Sequence, residues 1–196
     1  MIKKKHQNNY NFNKGNQSKY VDTMEVSEVY NYYEDQDLQI VELPYTKDSM
    51  SAIILLPNKD KNINDFISEL NDEKLQRLLK RMYPIQVNLQ LPKFKLETKY
   101  ELNSALNRMS MKVPFQGNAD FTGIAAGSMY ISLVIQKSYL AVDEKGTQAS
   151  SVTIVVITRG VTPSMVINRP FIFMLRNKDF PDNYEMLFMS KVSKLE

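Results

Sequence analysis

Residues 144–164, EKGTQASSVTIVVITRGVTPS, are the stretch that most restricts how this chain can fold. They form a connection of about twenty residues between two segments with strand patterning. Connections this long are uncommon in a compact domain and usually functional. This one is not built as a flexible linker. It opens on a glycine pivot at Gly146, runs through small and hydroxylated residues, turns β-branched, and becomes polar at Thr158-Arg159-Gly160. The run Val152-Thr153-Ile154-Val155-Val156-Ile157 has high strand propensity, so the loop is able to become a strand. Thr147, Ala149, Ser151 and Thr153 alternate, and they are small enough to enter a crowded sheet face without overpacking it.

The rest of the chain supplies sheet. Residues 29–33 are aromatic-rich, 38–45 (LQIVELPY) read as a second strand, and 51–57 (SAIILLP) have the continuous apolar run of a doubly covered strand. The polar segment 46–48 predicts a hairpin, so three adjacent antiparallel strands are expected. Spacing then turns helical. Ile63, Phe66, Ile67 and Leu70 make one stripe, and Leu75, Leu78, Leu79 and Met82 another, with Asn71 and Asp72 able to cap the second helix and Pro84 stopping it. Alternation over 85–91 predicts a half-buried strand that continues past Pro92 through Phe94, Leu96 and Thr98. A short helix is expected over 101–109, a loop over 113–127, and a long strand over 130–143. Residues 165–168, 171–175 and 186–192 read as three more strands, the last two joined by a turn containing Asp179, Pro181, Asp182 and Asn183. The expected class is α+β, mostly antiparallel β with a few short helices.

The 196 residues, 43% hydrophobic and 24% charged, fit one domain. Residues 1–19 are dominated by Asn, Lys and Gln and predict a disordered tail ahead of a folded region over 20–196. Asn16-Gln17-Ser18 fits a glycosylation acceptor. Residues 1–5 have the basic start of a signal peptide, but polar residues follow where an apolar run should stand. No stretch approaches the roughly 18 apolar residues of a membrane span. The 25 Lys and Arg are nearly balanced by 22 Asp and Glu and are spread throughout, so neither a nucleic-acid nor a membrane partner is expected.

Catalysis is tested by what the sequence lacks. The one histidine, His6, lies in the polar N-terminal stretch, and there is no cysteine, so nucleophile–base pairs and zinc sites have no members to draw on. No phosphate-cradling glycine motif occurs, and no cofactor is expected. Asp143-Glu144 and the pair Asp35 and Asp37 read as solvated strand ends rather than acid–base groups. Lys74, Arg77 and Arg81 share one face of the second helix, a weak candidate for polyanion contact beside the ordinary reading of a solvated face.

Several separated motifs, taken in order, resemble the serpin family of serine-protease inhibitors. Glu144-Lys145-Gly146-Thr147-Gln148-Ala149-Ser150-Ser151-Val152-Thr153 is similar to the hinge of inhibitory members. Residues 165–175 (MVINRPFIFML) resemble the family signature centred on Asn168-Arg169-Pro170-Phe171. Leu43-Pro44-Tyr45, Leu91-Pro92-Lys93-Phe94, Ala119-Asp120-Phe121 and Leu187-Phe188-Met189 fall in the family's order and near its spacing. The resemblance covers roughly residues 20–193 and implies a serpin-like fold in which this chain is the C-terminal half of the domain.

It also implies a mechanism. The exposed loop is offered to a protease, and after the acyl-enzyme forms it inserts into the main sheet and drags the protease with it. The family spacing counted back from Phe171 implies cleavage between Arg159 and Gly160, suited to a trypsin-like enzyme; counting forward from Gly146 implies cleavage after Gly160. Gln136, Ser110, Ser190 and Val152 depart from common family residues. The resemblance implies an extracellular protein, although this chain shows no signal peptide. It also leaves a second expectation, a truncated non-inhibitory fragment or interaction module lacking the sheet that loop insertion needs.

Overall fold

The computed structural model describes residues 4–12, 17–45, 49–143, 162–179 and 185–195. The elements in chain order are β1 (Lys4–Phe12), β2 (Gln17–Glu34), β3 (Leu38–Pro44), β4 (Met50–Pro57), α1 (Ile63–Glu69), α2 (Asp72–Arg81), β5 (Tyr83–Pro92), β6 (Phe94–Glu101), α3 (Asn103–Arg108), β7 (Ile135–Val142), β8 (Ser164–Val166), β9 (Phe171–Asn177) and β10 (Glu185–Val192). They fall into two compact units, one of Lys95–Ala141 and one of Met1–Phe94 with Val142–Glu196.

The larger unit is a mixed sheet in the order β10-β9-β4-β3-β2-β5-β8, with β1 also paired to β2. Every pairing is antiparallel except β5 with β8. The organising element is the 18-residue β2. One of its edges is taken by β5 along Thr23–Tyr32, and the other by β1 near its start and β3 near its end.

Register decides the core. Ile40, Leu55 and Ile172 stand opposite one another, as do Val41, Ile54 and Phe173 one step along. Because side chains alternate between faces, these two rows line opposite sides of the sheet. The Ile40 row, with Ile53 and Met174, is covered by Phe66 of α1 and Leu75, Leu78 and Leu79 of α2. Both helices start where a side chain accepts a backbone N–H: Asn62 Oδ1 from Asn64 at 2.9 Å, and Asn71 Oδ1 from Lys74 at 2.8 Å. On the other side Phe94 meets Phe171 and Phe173 edge-on, at 5.5 Å in each case. Burying each such ring contributes on the order of 2–3 kcal/mol.

The smaller unit contains a two-stranded ribbon, β6 with β7, together with α3. Helix α3 ends in a Schellman turn. Ser110 N–H donates to Asn107 O at 3.0 Å, Met111 N–H donates to Leu106 O at 3.0 Å, and Ser110 itself has φ 70°.

Four expectations change. The stretch expected as a disordered tail forms β1 and the beginning of β2, paired from Lys4↔Glu25 to Phe12↔Gln17. Its Asn-rich composition argued against strand, but the ladder is made by the backbone, and fully buried Tyr10 pins it. Strand β2 accordingly begins at Gln17 rather than residue 29.

The long strand expected over 130–143 is strand only in β7. Before it, the chain bonds to non-strand partners: Ile131 N–H to Pro114 O, Leu102 N–H to Val134 O, and Asn103 to both Ser132 O and Val134 N–H. Backbone partners, not propensity, set that boundary. Pro84, expected to stop α2, lies inside β5; the helix ends at Arg81.

Candidate functional site

Residues 144–161 of the loop expected to carry the function lie outside the described residues. Hinge residues Glu144, Lys145, Gly146, Thr147, Gln148, Ala149, Ser150, Ser151, Val152 and Thr153, and the bond Arg159-Gly160, lie outside the described residues, as do Asn16 and the 46–48 turn. What the structure gives is the ground on which the chain resumes after this loop. Pro163 O accepts from Asn88 N–H at 2.9 Å, β8 runs parallel to β5 through Asn88↔Ser164, Leu89↔Met165 and Gln90↔Val166, and Ile167 N–H donates to Gln90 O at 2.9 Å. Met165 and Ile167 are buried, so the returning chain is held by apolar packing as well as by the ladder.

Asn168, Arg169, Pro170 and Phe171 follow at once and brace three strands. Asn168 turns the chain, its N–H donating to Val166 O at 3.0 Å and its carbonyl accepting from Asn11 N–H of β1 at 2.7 Å. Arg169 Nε donates to Pro57 O at the end of β4 at 2.8 Å, and its Nη1 reaches Asn168 Oδ1 at 3.4 Å. Burial lowers the pKa of this half-buried guanidinium, because removing it from water costs the charged form. Pro170 offers no N–H to a ladder, and Phe171 then enters the core against Phe94. The arrangement anchors the chain; it carries no nucleophile or general base. Among the described residues no three His, Cys, Asp or Glu side chains gather as a metal site. His6 sits within β1 opposite Thr23.

The face of α2 singled out for polyanions is partly occupied. Lys74 Nζ lies 2.9 Å from Glu69 Oε2 and 5.1 Å over the Phe66 ring. Arg81 donates to Tyr33 OH at 2.9 Å and lies over that ring, while Arg77 is exposed. Two features carry little local signal in the sequence. One is the buried pair of Arg176 and Glu42, signalled only by a charge inside each of two otherwise apolar strands. The other is a cleft at Arg169 lined also by Lys59, Lys61 and Lys191.

The family model described as Serpin (serine protease inhibitor) matches residues 2–195. The chain belongs to the serpin family. Among its relatives, Iripin-5 of Ixodes ricinus is 36% identical over 163 residues, covering 81% of this chain and 41% of the relative. The leukocyte elastase inhibitor of Xenopus tropicalis is 36% identical over 159 residues, covering 76% and 41%. The solved native state of tengpin, a thermophilic serpin, matches with a TM-score of 0.78 at 30% identity, over 97% of this chain and 50% of that one. This serpin chain therefore spans about half the length of the relatives it matches. Its family is described as one of inhibitors, not of enzymes. The serpin fold accounts for the strand-rich architecture with few helices described above, and residues 168–171 form the brace between β1, β4 and β9.

Proposed function

We propose that this serpin chain serves serine-protease inhibition, with residues 144–164 as a bait loop cleaved between Arg159 and Gly160 by a trypsin-like protease. The observation that carries the reading is the composition of the loop: a glycine pivot, small alternating residues from Thr147 to Thr153, and a long cationic side chain at Arg159. The small residues suit insertion between strands, and the arginine suits a specificity pocket that carries an acid. An inhibitor of this kind works once, by releasing stored strain, and needs no catalytic residue of its own. An extracellular site of action, which the family resemblance implies, is part of the proposal.

The test mixes the purified chain with trypsin and resolves the products on a denaturing gel. A band at the mass of trypsin plus residues 1–159, with residues 160–196 released as the leaving peptide, supports inhibition, and its loss in Arg159→Ala identifies the bait. In Thr147→Arg, a bulky charged hinge residue should block insertion, so the loop is cut and no covalent complex accumulates. A complex that persists in that variant overturns the insertion mechanism.

A second reading is favoured by one observation: the chain matches about half of each relative's length. Under it, the chain is cleaved as an ordinary substrate and acts as an interaction module without trapping a protease. Cleavage of the wild-type chain with no covalent band on the gel selects this reading.

A further inference from the structure

We propose that the cleft between the β4–α1 connection, Arg169 and the end of β10 binds a ligand carrying several sulfate or phosphate ester groups. The cleft has a volume of about 600 Å³, within the range of small-ligand sites. Four cations line it, Lys59, Lys61, Arg169 and Lys191, and no carboxylate does among the described residues. The polar groups between them are neutral asparagines and Ser193. A lining of one sign of charge focuses a positive field into the cleft and selects anions over neutral or basic ligands.

The contacts of these cations leave most of their charge uncompensated. Arg169 spends Nε on a carbonyl and Nη1 on an amide oxygen, both neutral, so its Nη2 donors and its full charge remain for a ligand. A guanidinium held this way offers the planar fork that matches tetrahedral oxyanions. Lys191 Nζ donates to Asn64 Oδ1 at 3.0 Å, again a neutral partner. Only Lys61 is paired, to Asp37 at 3.0 Å, at a position where both side chains are about half exposed. A second cleft shares Lys59, Lys61 and Arg169 with this one but is lined also by Glu34, Asp35 and Asp60, so its charge is mixed, whereas the side that reaches Lys191 and Ser193 has cations and neutral groups. On α2, Lys74 is paired with Glu69 and Arg81 is bound to Tyr33, so that face has less free charge to offer. The Arg169 cleft is thus the better anion site of the two.

The chain is titrated at low salt with a sulfated hexasaccharide in one arm and inositol hexakisphosphate in the other, by calorimetry. Lys59→Gln combined with Lys191→Gln alters two exposed residues and leaves Arg169 in place. It should weaken binding about tenfold or more, since each lost charge-assisted bond removes a sizeable share of the affinity. Lys74→Gln combined with Arg77→Gln on α2 should leave it within about twofold, and added salt should weaken the wild-type complex. Binding of either ligand with this pattern supports the site and tells the sulfate source from the phosphate source. Equal weakening by both double variants, a loss confined to the α2 variant, or no binding in either arm overturns it. None of these outcomes depends on protease trapping, so the site and the inhibitory reading stand or fall separately.

Discussion

Arg176 Nη2 lies 2.6 Å from Glu42 Oε1, a buried ion pair that ties β9 to β3 across the intervening β4. Ser51 of β4 accepts from Arg176 Nε at 3.1 Å, and Asn31 of β2 donates to the second Glu42 oxygen at 2.9 Å. Four consecutive strands are therefore sewn together at one polar point within an apolar sheet. Such a pair is weak evidence for net stability, because desolvating two charges offsets much of their attraction; removing one partner is another matter.

Arg176→Met leaves the Glu42 carboxylate buried without its counter-ion and should cost about 3–5 kcal/mol in urea unfolding. Adding Glu42→Leu removes the orphaned charge, so the double variant should recover most of that loss. Equal destabilisation in the single and double variants would show that the pair does not act as a unit.

The same pair predicts an acid transition. Burial pushes the Glu42 carboxyl up, but hydrogen bonds from Arg176, Asn31 and Ser51 together outweigh it and hold the pKa below the ordinary carboxylate range. A carboxyl whose folded pKa is depressed contributes stability above its unfolded pKa, near 4.5, and loses it as pH falls through the folded value. Wild-type stability should drop below about pH 4.5 along a steeper course than in the double variant. Parallel pH profiles for the two proteins contradict this assignment.

Ser110 holds φ 70° at the end of α3, a conformation that costs an L-residue about 1–2 kcal/mol and glycine little. Ser110→Gly should stabilise the chain by roughly 1 kcal/mol, while Ser110→Val, β-branched at the same φ, should destabilise it by at least as much. Thermal unfolding of the three proteins orders them, and a Gly variant no more stable than wild type counts against the strain.

Tyr10 anchors β1: it is fully buried, and its OH donates to Val192 O at 3.3 Å. Tyr10→Phe should cost about 1 kcal/mol, the worth of the hydrogen bond. Tyr10→Ala should cost about 3–5 kcal/mol and free the amides of residues 4–12 to exchange. Fast exchange of those amides already in the wild type would mean that β1 is not held.

Phe171 packs edge-on to Phe94 at the start of β9. Phe171→Ala should lose about 3–5 kcal/mol through the cavity it opens, and Phe171→Leu well under half of that. Similar losses for the two changes would place the role of Phe171 in its backbone position rather than its packing.

What the sequence determined by itself is everything carried by local pattern. The helical stripes of α1 and α2, the asparagine cap of α2, the alternation in β5 and the apolar run of β4 all depend on neighbours a few residues away, and the sequence carries each of them. Tertiary structure decided whatever depends on distant partners. The Asn-rich β1 is a strand because β2 offers an edge and Val192 a carbonyl. Residues 128–134 are not strand because their backbone groups bond elsewhere. Glu42 and Arg176 meet although 134 positions separate them, and Lys59, Arg169 and Lys191 share a cleft only because β4, β9 and β10 are adjacent. Register across a sheet is set by burying one face and satisfying the ladder, and no single strand contains that information.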